Sequence, residues 1–145
     1  MTHISEHFTI DEFTFSQTAA RAGITNDPSP EVVGALHRTA MGMEMVREAL
    51  GNVPILVSSG YRSPALNAAV GGSQGSQHLF GEAVDFTAPT FGTTADVMQA
   101  IAHSDVPYDQ LISEYGRWVH ISFSERNRRQ RLVIDHTGTR PWELP

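Results

Sequence analysis

Cysteine is absent from the 145 residues. That excludes disulfides, thiol nucleophiles and thiolate metal sites, and leaves His, Asp and Glu as the strong metal ligands. Long apolar runs are missing too, and a composition 40% hydrophobic and 18% charged is that of an ordinary globular domain with no bilayer-crossing segment. Positive charge is scarce: ten Lys and Arg stand against sixteen Asp and Glu, a formal net charge of -6. A surface of that sign repels a phosphate backbone, so neither nucleic acid nor a membrane is an expected partner. Residues 1–20 lack a basic stretch followed by an apolar one, so no secretory signal peptide is expected.

The length suits one domain, 1–145, able to bury a core without staples and expected to be monomeric. Thr9–Phe13 and Ser16–Gly23 read as two short capped turns, forming a lid packed on the core. Ser29 and Pro30 open the clearest helix, whose apolar positions Val32, Leu36, Ala40, Met43, Val46 and Leu50 recur at helical spacing until Gly51 and Pro54 end it. Ile55–Val57 reads as a buried strand, Ser63-Pro64 as the start of a brief helix through Ala69, and Ala83–Phe86 as a second strand. Thr93 or Thr94 caps a helix to about His103. Gln110–Glu114 and Trp118–Phe123 form a hairpin turning near Gly116, with Arg131–Ile134 as an edge strand. Helices first and strands later predict an α+β domain with an antiparallel sheet and helices on one side.

His78 and Asp85 lie seven apart around Gly81, and Trp118-Val119-His120 offers a second His on a strand. Catalytic zinc sites use three N and O ligands and keep a fourth position open, a scheme that His78, Asp85 and His120 fit. Spacing alone leaves a second reading open, since a strand His can equally be a satisfied core residue. His3, His7, His37, His103 and His136 have no partner at ligand spacing and read as structural or solvated.

Three motifs occur in order: Ser59-Gly60-Tyr61-Arg62-Ser63, the Ser-x-His-x-x-Gly-x-Ala-x-Asp array from Ser76 to Asp85, and Trp118-x-His120. Together, over Phe8 to Phe123, they resemble the D-Ala-D-Ala carboxypeptidase and L-alanyl-D-glutamate peptidase family of zinc enzymes, which includes many phage endolysins. The resemblance implies a Hedgehog/D-Ala-D-Ala peptidase type of fold, with His78, Asp85 and His120 as zinc ligands and Gly81 turning the chain between loop and ligand strand. It implies peptidoglycan stem peptide as substrate and an endolysin held in the host cytoplasm before release. Arg62, with a fork that grips carboxylates, Ser76 and Trp118 are then candidate substrate-binding residues, although a salt bridge, a turn-stabilising hydroxyl and a core aromatic are their plainer readings.

Zinc-assisted hydrolysis also needs a carboxylate to move the proton. Many relatives carry it three residues before the last His; here that residue is Arg117, which cannot be a base. Glu114 is the candidate catalytic residue in its place, and Glu82 the reserve. A three-residue turn would pair Ile112 with His120 and put Glu114 beside Trp118, whereas a two-residue turn would send Glu114 to the other face. The departure at Arg117 leaves an alternative: a catalytically inactive, zinc-containing wall-binding module. A virion component that opens the wall at entry would use the same chemistry, and whether the L-Ala–D-Glu or the D-Ala bond is cut stays open. Arg126, Arg128, Arg129 and Arg131 read either as a solvated turn or as a contact with anionic wall polymer.

Overall fold

The computed structural model describes residues 2–144. Helices α1 (Ile10–Thr14), α2 (Gln17–Ala22), α3 (Pro30–Ala49), α4 (Pro64–Ala69) and α5 (Thr94–Ala102) accompany strands β1 (Leu56–Ser59), β2 (Ala83–Thr87), β3 (Gln110–Glu114), β4 (Trp118–Ser122), β5 (Gln130–Asp135) and β6 (Gly138–Pro141). The helix starts follow local chemistry. Ser29, Ser63 and Thr93 each accept a backbone N–H of their first turn, and Pro30 and Pro64 occupy positions where no amide hydrogen is needed.

The strands form one sheet in the order β1-β2-β4-β3-β5-β6. Alternation divides its two faces. Val84, Phe86, Leu111, Val119 and Ile121 point into the hydrophobic cluster shared with Phe13, Leu36, Met43, Val46, Met98 and Ile101 of α1, α3 and α5. Asp85, Ile112, Glu114, Trp118 and His120 therefore face the other way, and that face carries the site.

Four sequence expectations change. The sheet is mixed, not purely antiparallel, because β5 pairs parallel with β3 while the other four pairings are antiparallel. Arg131–Ile134 is not an edge: the turn after Asp135 brings Gly138–Pro141 back beside it, so β6 takes the edge. At the other edge stands β1, where Leu56 is 53% exposed instead of buried. The 3-10 turn Gln77–Phe80, expected only as loop, completes the frame on the cleft side of the sheet.

Candidate metal and catalytic site

His78 reaches the site from the 3-10 turn, Asp85 from β2 and His120 from β4. Asp85 and His120 are directly paired across the two strands, so their side chains leave the sheet together. The turn is shaped at both ends. The Ser76 hydroxyl accepts the His78 amide at 3.2 Å, and Gly81, at φ 71°, takes the left-handed conformation that returns the chain to β2. Behind it, the Ser59–Ser63 segment acts as a brace: the Arg62 amide donates to the His78 carbonyl at 3.0 Å and the Tyr61 amide to Phe13 at 2.7 Å. Gly60 lies so close to the Phe13 backbone that a Cβ would collide with it.

The three side chains are buried, with one potential ligand atom from each inside a group no wider than 4.8 Å. Asp85 Oδ1 lies 2.9 Å from His120 Nδ1 and 3.3 Å from His78 Nε2. Tetrahedral zinc with bonds of about 2.1 Å sets its ligand atoms roughly 3.4 Å apart, close to these spacings.

The hydrogen bonding also fits a cation. His78 Nδ1 sits 2.6 Å from the Gly60 carbonyl, which can only accept, so the proton is on Nδ1 and the Nε2 lone pair faces the Asp85 carboxylate. Two acceptors at 3.3 Å need a positive charge between them. A proton is disfavoured there, because burial lowers the His78 pKa below its ordinary value, against the opposing pull of Asp85. Burial works to raise the Asp85 pKa, but the hydrogen bond from His120 and the proximity of His78 outweigh it and hold the carboxyl below its usual range. A neutral imidazole fixed by its second nitrogen beside an ionised carboxylate is a donor set ready for a divalent metal.

Arg62 orients this carboxylate. Its Nη2 lies 3.5 Å from Asp85 Oδ2, turning Oδ1 toward the histidines, while Nε and Nη1 donate to Ser59 and Asn67 at 3.2 and 3.3 Å. The candidate substrate-binding Arg62 thus spends much of its fork inside the protein. Ser76 caps the 3-10 turn and borders the cleft as well.

The β3–β4 turn has the three-residue form: Ile112 pairs with His120 and Glu114 with Trp118. Glu114 therefore shares the face of His120, and its Oε1 lies 3.9 Å from His120 Nδ1. Burial and then the nearby Asp85 charge raise the Glu114 pKa, only partly offset by His120 and Arg62. The Trp118 indole N–H favours the charged form without hydrogen-bonding geometry, since Nε1 is buried with no partner among the described residues. Glu82 does not line the cleft; its charged neighbours are Arg38, Asp109 and Glu125. Arg117 borders the adjoining groove and not the metal group.

A cleft of about 660 Å³ opens over the group, walled by Tyr115 and Trp118 at one end and Gln110, Arg126 and Arg128 at the other. Ile112, Leu132 and Ile134 give it an apolar floor that the sequence had presented as ordinary strand hydrophobics. Tyr115, half exposed at φ 56°, leans on Trp118 with ring centroids 5.6 Å apart.

Asp109 was not singled out from the sequence, and no motif marks it. Fully buried, it accepts from Arg128 Nε and Nη2, both at 2.8 Å, from the Arg128 amide at 3.0 Å, from Gln77 at 2.9 Å and from Ser124 at 3.0 Å. Gln77 precedes His78, so this clasp ties the 3-10 turn to the 123–129 loop. The bidentate Arg128 bond above all holds the Asp109 carboxyl well below the usual carboxylate range. Arg129 is likewise internal, donating to the Val106 carbonyl at 2.7 Å and lying over the Tyr108 ring. Two of the four clustered arginines thus hold the loop together.

Of the remaining histidines, His7 is 2.7 Å from Glu44 and His37 is 3.3 Å from the Ile4 carbonyl, both away from the metal group. No helix among the described residues is long and apolar enough to cross a membrane.

Comparison with known proteins agrees with this geometry. A Streptomyces albus G protein described as zinc D-Ala-D-Ala carboxypeptidase is 37% identical over 65 residues, which are 45% of this chain. They span only 26% of that relative's length. The Peptidase M15 model matches residues 6–122, a stretch that contains the metal group, its brace and Glu114, and on that match the chain belongs to the peptidase M15 family.

Proposed function

We propose that this chain is a zinc metallopeptidase that hydrolyses the stem peptides of bacterial peptidoglycan, with His78, Asp85 and His120 as ligands and Glu114 as general base. The observation that carries the reading is a buried, preformed His2Asp group with a raised-pKa carboxyl 3.9 Å from one ligand, under a cleft of about 660 Å³. A fold of the Hedgehog/D-Ala-D-Ala peptidase type and a role in phage lysis, with the protein held in the host cytoplasm before release and then acting on the cell wall, belong to the same proposal.

The chemistry a zinc ion supplies in such a site is Lewis acidity, which polarises a carbonyl and brings the pKa of water toward about 7. The chain's own residues do the rest. Arg62 holds Asp85 turned toward the histidines, and the Gly60 carbonyl keeps the His78 proton on Nδ1. Glu114, less acidic than a solvated glutamate, takes a proton from the attacking water and returns it to the leaving amine. Trp118 and Tyr115 close one end of the cleft against solvent.

Glu114→Gln keeps the size of the side chain and removes its basicity. Turnover of synthetic stem peptides should fall at least about a hundredfold while zinc remains bound. Wild-type turnover in this variant would remove Glu114 from the mechanism. A wild-type protein that binds zinc and cell wall but cleaves no stem peptide would favour the wall-binding module, the reading motivated by Arg117 at the position where many relatives carry the acid.

A further inference from the structure

The chain has no lysine, so its ten cationic side chains are all arginine. Three of them border the cleft: Arg62, Arg126 and Arg128. Arg62 is bound to Asp85, Ser59 and Asn67, and Arg128 to Asp109. Among the described residues the Arg126 guanidinium has no hydrogen bond or ion pair; only its amide is engaged, donating to Ser124 at 3.3 Å.

The loop that presents Arg126 is firmly built. Phe123 donates to the Glu82 carbonyl at 2.9 Å, Ser124 and Arg128 bind the buried Asp109, and the Gln130 amide returns to the Asp109 carbonyl at 2.9 Å. Asn127 and Arg129 hold positive φ values of 41° and 49° within it. An uncommitted cation on a rigid platform loses little backbone entropy on gripping a ligand.

Its position along the cleft follows from strand register. The loop joins the end of β4 to the start of β5, and Gln130 pairs with Gln110. His120 pairs with Ile112, and from Ile112 to Gln110 is two residues, roughly 7 Å at about 3.4 Å per residue. Arg126, in the loop that leads into Gln130, borders the cleft beyond the metal group, at a distance on the order of two or three residues of extended peptide. Between them the floor is Ile112 and Leu132. The cleft's carboxyls, Asp85 and Glu114, are both committed at the metal group.

We propose that Arg126 is a specificity determinant: it binds a carboxylate of the substrate two or three residues from the bond being cut, so that the cleft selects an acidic peptide. This rests on the peptidase reading above. A guanidinium offers a carboxylate paired, charge-assisted hydrogen bonds that a carboxamide cannot match.

The test uses the zinc-loaded full chain and pairs of synthetic stem peptides that differ only in one group, free carboxylate or carboxamide, placed in turn at each acidic position. The wild type should prefer one acid peptide over its amide by about tenfold or more in kcat/KM. Arg126→Ala and Arg126→Gln should erase that preference by raising KM for the acid far more than for the amide, and Arg126→Lys should retain part of it. The same acid-to-amide ratio in wild type and both variants would overturn the proposal. If the zinc-loaded wild type cleaves no peptide at all, the peptidase reading is what has failed, and calorimetric binding of the same pairs decides the subsite: acid-selective binding lost in Arg126→Gln sustains it, and equal binding overturns it.

Discussion

Replacing Asp109 by Asn tests whether the clasp beside the metal group holds the site together. The substitution keeps the shape and removes the charge that receives five hydrogen bonds from Arg128, Gln77 and Ser124. One carboxyl oxygen becomes an NH2 group facing donors, and Arg128 loses its counter-ion. Removing one partner of a fully buried pair costs about 3–5 kcal/mol, but the Arg128 side chain is 31% exposed and can rehydrate, so about 3 kcal/mol is the working figure. For a chain of this length that lowers Tm by about 10 °C. The pH dependence gives a second readout. The folded-state pKa of Asp109 is depressed, so its contribution is full above the unfolded value near 3.9 and is lost as pH falls toward the lower folded value. The gap in stability between wild type and variant should thus be widest near neutral pH and narrow below about pH 4. Scanning calorimetry from pH 7 down to the acid limit measures both. A shift under about 2 °C at pH 7, or a gap that widens on acidification, would refute the reasoning.

Arg62→Lys keeps the charge near Asp85 but loses the fork that also engages Ser59 and Asn67, so metal affinity should drop by about ten- to a hundredfold in a chelator competition. Unchanged affinity would mean that Asp85 is held by its strand alone. Gly60→Ala drives a methyl group into the Phe13 backbone and should cost about 1–3 kcal/mol in denaturant unfolding, with weaker metal binding because the Gly60 carbonyl fixes His78.

Apart from the metal group, which the motifs around His78, Asp85 and His120 marked, what could be read from the sequence was local. The caps at Ser29, Ser63 and Thr93 lie where their side-chain chemistry puts them, because a hydroxyl three residues before an orphan amide needs no tertiary help. The register that brings Glu114 to the face of His120 followed from one choice of turn length. The other nonlocal parts were not legible. The parallel pairing of β5 with β3 joins segments about twenty residues apart, and nothing in Arg131–Ile134 marks which partner it will take. Ile112, Leu132 and Ile134 look like core positions until the sheet shows that they face the cleft. Asp109 lies outside any motif and Arg128 reads only as one of a run of arginines, and only the fold brings them together around Gln77.

Metal content of the purified protein, by elemental analysis beside His78→Ala and His120→Ala, tests the central claim most directly. About one zinc ion per chain, lost in both variants, is the predicted result. A wild type that takes up no zinc when it is supplied, or variants that keep it, would contradict the assignment of His78, Asp85 and His120 as its ligands.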